Sequence, residues 1–356
     1  MKILLLSRYG PLGASSRIRS YQYLPYLKSQ GIDVTVAPLL NDGYVKALYS
    51  AKAKPLFSIF DSYMRRFRSI LNTHCFDLVW IEKDLFPWMP AWAEIMLVRI
   101  GIPYVVDYDD AIFHRYDLNP NRIVRTLLGS KISRVMRYAS AVIVGNEYLA
   151  TYAIRAGAKR VEYIPTVIDL DRHSIKDCTN TGEFKVGWIG SPMTAKYLNL
   201  IKPAIIRFFK EGNSSLSLVG SGHVALGELP VKIIPWSKET EVADIQDFDV
   251  GIMPLPDSPW ERGKCGYKLI QYMACGKPVI ASPVGANIAI VEHGVNGFLT
   301  KSADEWLEAL TVLRDDPDLS KKMGKEGRKI VEKRYCLQVT APRLLSIFQS
   351  VWGNYN

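Results

Sequence analysis

The feature that most constrains this chain is a rhythm that occurs twice. Short runs of aliphatic and β-branched residues alternate with longer stretches of helical period, at 2–7, 33–39, 77–82, 104–108, 141–145 and 161–165. The pattern restarts at 185–189, 215–219, 231–234, 249–253, 278–281 and 297–299. Strands that alternate with helices predict parallel sheets, because a parallel neighbour is reached only by a crossover, and the crossovers cover both faces. Between the two rounds the chain turns rich in Asp, Thr, Asn and Ser, a composition that reads as a linker. The expectation is an α/β protein with two doubly wound parallel-sheet domains facing a cleft. They span 1–170 and 184–335, joined by a linker at 171–183, and a closing helix at 336–356 packs back on the first domain. Open sheets of this kind bind ligands beyond the carboxyl ends of their strands, so functional residues are expected in the loops there.

At 356 residues, 48% hydrophobic and 22% charged, the chain can bury two cores and has no disordered character. Five scattered cysteines without a CxxC spacing offer neither a disulfide framework nor a zinc site. The most apolar window, 89–106, is broken by Pro90, Glu94, Arg99 and Pro103, short of the ~20 apolar residues that a membrane span needs. With a strand-like run at its start instead of a signal peptide, the chain is expected to be cytoplasmic.

The net charge of +10 is uneven: residues 1–170 hold 22 Lys and Arg against 14 Asp and Glu, the remainder 23 against 21. Much of the excess falls on two helical segments. One carries Lys46, Lys52, Lys54, Arg65, Arg66 and Arg68 among Leu48, Phe57, Ile59, Phe60, Met64 and Phe67. The other carries Arg122, Arg125, Lys131, Arg134 and Arg137 among Ile123, Leu127, Leu128, Ile132, Val135 and Met136. Basic amphipathic faces suit an anionic membrane surface or a phosphorylated lipid, and peripheral contact with the inner face of the cytoplasmic membrane is expected. The alternative is two solvated helix faces. Nucleic acid is not expected as a partner, since no recognition motif with interleaved aromatics accompanies the charge.

The most informative stretch runs from Gly263 to Ala281. Glycines precede a helix that ends at Gly276, with Pro278 and a strand after it. Such a helix N-terminus offers unpaired N–H groups and partial positive charge to an anion. Lys264, Lys268 and Gln271 follow at i, i+4 and i+7, on one helix face, a set that fits a diphosphate and the adjoining ribose. The alternative is a pair of surface lysines.

The run Gln271-Tyr272-Met273-Ala274-Cys275-Gly276-Lys277-Pro278-Val279-Ile280-Ala281-Ser282, with Glu292-His293-Gly294-Val295-Asn296-Gly297-Phe298-Leu299 after it, resembles the signature of glycosyltransferase family 4. The resemblance covers essentially the whole chain. It implies the GT-B fold of two Rossmann-like domains and a retaining transferase that takes a UDP- or GDP-sugar as co-substrate, with no metal or other cofactor. A glycan or lipid-linked acceptor is implied. In that family a Glu-x7-Glu pair embraces donor sugar and ribose. Here Gln271 occupies the second position and Gly263 stands eight residues before it, with Glu261 the nearest acid. Lys264 and Lys268 then resemble a lysine-based layout, catalytic in stabilising the leaving diphosphate, with Gly266, Tyr267 and Gln271 beside them on the donor. Upstream, Gly190 ends a strand; Ser191 stands where that family carries an Arg, and Lys196 near its Lys. Gly220 ends the next strand under the nucleotide, and Trp236 resembles the residue that borders the base, though an ordinary core aromatic is an equal reading.

In the first half, Tyr9-Gly10-Pro11-Leu12-Gly13-Ala14-Ser15-Ser16-Arg17-Ile18-Arg19 links strand to helix but lacks the third glycine of a dinucleotide fingerprint, which disfavours a dehydrogenase. By the resemblance, Gly13 approaches the donor sugar while Ser15, Arg17 and Arg19 handle the acceptor. Asp107-Tyr108-Asp109-Asp110 packs three acids into four residues at a strand end. Mutual repulsion of that kind points to a cation, a polar ligand or proton transfer. A metal-binding DxD is one reading. The preferred one places Asp109 where the family carries a catalytic His, with Asp110 and His114 on the acceptor and no metal. Two other classes remain open: a non-catalytic sugar-nucleotide-binding subunit, and a sugar-nucleotide epimerase on the same scaffold.

Overall fold

The computed structural model describes residues 1–49, 56–176, 182–224 and 229–355. All twelve strands form, with ends that differ from the sequence expectation by up to three residues. In the first unit β1 is Lys2–Leu6, β2 Asp33–Val36, β3 Leu78–Glu82, β4 Tyr104–Tyr108, β5 Ala141–Val144 and β6 Val161–Tyr163. In the second, β7 is Phe184–Ile189, β8 Ser214–Val219, β9 Val231–Ile234, β10 Val250–Met253, β11 Val279–Ala281 and β12 Gly297–Leu299. Each set makes one sheet, in the orders β2-β1-β3-β4-β5-β6 and β12-β11-β10-β7-β8-β9. Every printed pairing is parallel, for example Leu5 opposite Val36 and Ile189 opposite Val219. The central strands are buried on both faces, as β3 and β4 are along their full lengths, which is why they read as unbroken apolar runs instead of alternating ones.

The strand order fixes where a site can form. In the first sheet the chain runs from β1 to β2 and then crosses to β3 on the other side of β1. In the second it builds β7, β8 and β9 outward, then returns to β10 on the other side of β7. At each reversal two crossovers leave in opposite directions and open a crevice at the carboxyl ends. The loops after β1 and β3, and those after β7 and β10, border these crevices.

One unit comprises Met1–Thr166 with Thr340–Asn356, the other Val167–Val339. Within the first, the closing helix Leu337–Gly353 sets Phe348 edge-on against Trp80 at 5.0 Å, and Thr340 Oγ1 lies 3.1 Å from the Tyr23 hydroxyl. The boundary falls ahead of the polar segment expected as linker. Ile168 is buried and its N–H donates to Tyr335 O at 3.1 Å, so the chain has joined the second unit's packing before 171. Composition marked where the chain turns polar; packing decided where the unit begins. Residues 177–181 of that segment lie outside the described residues.

Candidate functional site

In the second unit, β7 delivers Gly190 to the crevice, and Ser191 opens the short helix Pro192–Ala195. The helix Tyr267–Ala274 approaches from the other side, led in by Gly266. At φ of +66°, and with Ile290 Cδ1 2.3 Å from where a Cβ would stand, position 266 accepts only glycine. Lys268 Nζ lies 4.0 Å from the Trp188 ring centroid and 3.5 Å from Thr194 Oγ1. A Cβ on Gly190 would stand 2.6 Å from that ammonium and 2.6 Å from the indole, so the glycine makes the room in which Lys268 sits. Gly220, with φ of +72°, would push a Cβ to 2.5 Å from Gly190 O and 3.0 Å from Trp236 Cβ. Gly190, Gly220, Trp236 and Lys268 therefore form one surface. Trp236 is half-buried against the core and donates its Nε1–H to Glu241 Oε2 at 3.0 Å.

The electrostatics of this surface are one-sided. No carboxylate among the described residues lies within ion-pair distance of Lys268. Burial, reinforced by the neighbouring Lys264 ammonium, pushes its acidity constant down to about 7. An ammonium held against a ring, a hydroxyl and a second ammonium is a cation in want of an anion. Gln271 is buried one turn further along the helix. Glu261 is buried too. Burial alone would raise its acidity constant, but hydrogen bonds from Ser258 and Tyr197 hold it below the ordinary value.

In the first unit, Gly13 begins the helix Ala14–Arg19 and packs so tightly on Tyr9 that a Cβ would lie 2.3 Å from Tyr9 Cβ. Ser15 Oγ donates to Asp109 Oδ2 at 2.5 Å and lies 3.1 Å from Glu82 Oε1. Lys83 Nζ reaches Ser15 Oγ at 3.0 Å, Asp109 Oδ1 at 2.9 Å and Asp110 Oδ2 at 3.7 Å. Burial works against ionisation of Asp109, yet Lys83 and Ser15 outweigh it and hold the carboxyl below its usual range. Arg19 is buried and bidentate to Asp107, at 2.8 and 2.9 Å, with a further bond to Ile164 O at 2.9 Å. His114 sits between Asp117 Oδ1 at 2.9 Å and the Tyr148 hydroxyl at 2.7 Å.

Two family models match the chain, one for each half. Residues 183–316 match "Glycosyl transferases group 1" and residues 19–166 match "Glycosyl transferase 4-like domain". The chain belongs to the glycosyltransferases. Among curated proteins, trehalose synthase of Pyrococcus horikoshii is 33% identical over 88 residues, 25% of this chain and 21% of that protein. The chain spans about a fifth to a quarter of the length of the curated relatives it matches. Among solved structures, Anabaena HepE (Alr3699) in complex with UDP is 18% identical with a TM-score of 0.69, over 98% of this chain and 100% of that one. Sucrose-phosphate synthase of Thermosynechococcus elongatus is 16% identical with a TM-score of 0.75, over 99% and 100%. At those identities the likeness speaks to the fold, which is GT-B.

The structure of this glycosyltransferase distributes the expected residues unevenly. Lys268, Gly190, Gly220, Gly266 and Trp236 come together, with Lys264 close enough to act on Lys268. Lys196 instead is exposed, with its ammonium 5.4 Å from the Tyr197 ring. Ser15, Asp109 and Asp110 converge, whereas Arg19, expected on an acceptor, is committed to a buried carboxylate, and half-buried Arg17 lies outside that cluster's printed bonds. The three acids of 107–110 do not converge on one point: Asp107 faces Arg19, and the other two face Lys83. Sequence reasoning missed Lys83. The signal was there, three consecutive charges, Glu82, Lys83 and Asp84, closing an otherwise apolar strand.

The basic helices are also less uniform than their sequences suggest. In the helix Leu56–Leu71, Arg66 is buried and donates to Ala37 O at 3.2 Å. In the helix Lys131–Tyr138, Lys131 is buried against Asp84, and Ile132, Val135 and Met136 are in the core. These two cations serve the interior and correct the expectation of a wholly basic surface. Lys52 and Lys54 lie outside the described residues, as do the side chains of Leu48 and Phe57. Exposed apolar side chains remain beside exposed arginines on the helix Arg122–Leu128, where Ile123 and Leu127 are each 67% exposed.

Proposed function

We propose that this chain is a retaining, metal-independent glycosyltransferase that moves a sugar from a UDP- or GDP-sugar to a lipid-linked or polysaccharide acceptor. The observation that carries the reading is Lys268, a buried ammonium paired with no described carboxylate, at the crevice of the second sheet. Breaking the bond between the anomeric carbon and the phosphate oxygen leaves its electron pair on the diphosphate. Lys268, Lys264 and the N-terminus of Tyr267–Ala274 stabilise that charge. The acceptor oxygen bonds to the anomeric carbon on the same face, and its proton passes to the departing phosphate oxygen. Asp109, kept ionised by Lys83 and Ser15, orients the hydroxyl that attacks. Lysines supply the positive charge on the donor side, which is the basis for proposing metal independence. The likeness to HepE, solved with UDP, supports UDP over other nucleotides.

A thermal-shift panel of UDP- and GDP-sugars, with and without EDTA, tests the donor reading. One nucleotide series at ~100 times its Kd should add about 2.7 kcal/mol and raise Tm by several degrees. No shift with any of them would sink the reading, and a shift abolished by EDTA would sink metal independence.

The acceptor side of the proposal is a lipid surface. Hydrophobic residues exposed between Arg122 and Arg125 fit an anionic bilayer, where apolar side chains insert and arginines meet the head groups. The expected result is co-sedimentation with vesicles containing phosphatidylglycerol. Ile123→Asp with Leu127→Asp should reduce it about tenfold without changing UDP affinity. Equal binding by the double variant would remove this helix from the membrane contact.

A further inference from the structure

Glu82, Lys83 and Asp84 end β3 in a three-residue turn. The Asp84 N–H donates to Glu82 O at 2.9 Å, and Lys83 between them has φ of 68°. A γ-turn of this hand is rare, and a non-glycine residue held in it costs about 1–3 kcal/mol. Glycine or asparagine would adopt the same backbone more cheaply, so backbone geometry does not account for a lysine here. The side chain does.

Successive residues of a strand point to opposite faces. The left-handed turn breaks that alternation, so that both Glu82 and Lys83 reach the Ser15 hydroxyl, at 3.1 and 3.0 Å. The Lys83 N–H still donates to Asp107 O at 3.0 Å, so its backbone stays tied to β4. The other two charges of the turn are absorbed by the interior. Glu82 accepts from the Arg8 N–H at 2.8 Å and from Ser16 Oγ at 2.6 Å, and Asp84 lies against Arg8 and Lys131 with almost no exposure. Lys83 differs in its partners. Its ammonium is buried, but the Asp109 and Asp110 side chains beside it are 15% and 32% exposed, at the crevice edge of the first sheet.

We infer that Lys83 is a positioning residue for the transfer reaction, holding the Asp109 carboxylate in one orientation toward a hydroxyl-bearing ligand. The inference rests on the transferase reading above and on the role of Asp109 in it. Each carboxylate oxygen has two lone pairs, so the bonds from Ser15 and Lys83 fix Asp109 while leaving capacity for a ligand hydroxyl. Ser15 takes part as the second anchor of the same carboxylate.

The test uses the full chain and whichever UDP- or GDP-sugar the wild type turns over fastest. Lys83→Gly and Lys83→Asn both suit the left-handed backbone. Each should fold, keep UDP affinity and donor KM within about threefold, and lose about 100-fold in kcat. The acidic limb of the kcat profile should move to higher pH, because Asp109 loses the cation that opposes its burial. Lys83→Arg, which keeps the charge, should recover part of kcat. A folded Lys83→Gly with wild-type kcat overturns the role, as does a fall in kcat with an unmoved acidic limb. If both small variants fail to fold, Lys83 is a structural strut and the inference is wrong. A wild type that binds UDP but turns over no donor sinks the transferase reading itself, and this role with it.

Discussion

Lys268→Ala is expected to weaken binding of the nucleotide diphosphate by about 100-fold, the loss of one or two charge-assisted hydrogen bonds, and turnover should fall by at least as much. Thermal stability should be unchanged or higher. The ammonium is buried beside Trp188 and a second lysine without a described carboxylate partner, so removing it relieves a desolvated charge. Calorimetry with UDP and a melting curve together decide the matter. Unchanged affinity would remove Lys268 from the donor site, and a large fall in Tm would make it structural.

The pH dependence has a definite sign. Burial and Lys264 hold Lys268 at about 7 in the empty protein, and a diphosphate beside it would raise that value. Above pH 7, binding therefore takes up a proton, and affinity falls as pH rises toward the value in the complex. Titrations in buffers of different ionisation enthalpy would reveal the uptake. An affinity that is flat from pH 7 to 9 would show that Lys268 does not meet the phosphates.

Arg19→Ala is expected to destabilise the protein by about 3–5 kcal/mol, because it leaves Asp107 buried without its bidentate partner. The loss should be smaller at pH 5 than at pH 8. Burial already pushes Asp107 up to about 6 against the opposing pull of Arg19, and without the guanidinium the carboxyl would be higher still. A folded-state value raised above the unfolded one contributes stability at low pH that is lost as pH rises through it. The ionised, uncompensated state thus dominates only toward neutral and alkaline pH. Melting curves of the variant at the two pH values check this. An unchanged Tm with a loss of turnover would instead restore Arg19 to the acceptor.

Arg19 and Lys83 show where reading the sequence runs out. Both are cations near strand ends, and composition assigns each an equal prospect of meeting a ligand. Arg19 lies on the face of Ala14–Arg19 that packs on the sheet and meets Asp107, 88 residues away. Lys83 meets Asp109 and Ser15 only because its backbone turns to the left-handed region, a local strain that no residue pattern announces. Lys268 was easier to place. A glycine before it, a helical spacing to Lys264 and a glycine after the helix carry the chemistry of an anion site within fourteen residues.

The sequence by itself determined the two parallel sheets, since strand and helix periods are local and survive without knowledge of distant contacts. It also determined the lysine-bearing helix as the diphosphate candidate, because that motif is contiguous. Only the tertiary structure decided which of the many charges face a ligand and which hold the interior. Buried ion pairs join residues 60 to 90 apart in the chain, such as Arg8 with Asp84 and Arg19 with Asp107. Burial, not residue type, converts each such charge from a solvated group into a fixed partner, and burial is a property of the folded whole.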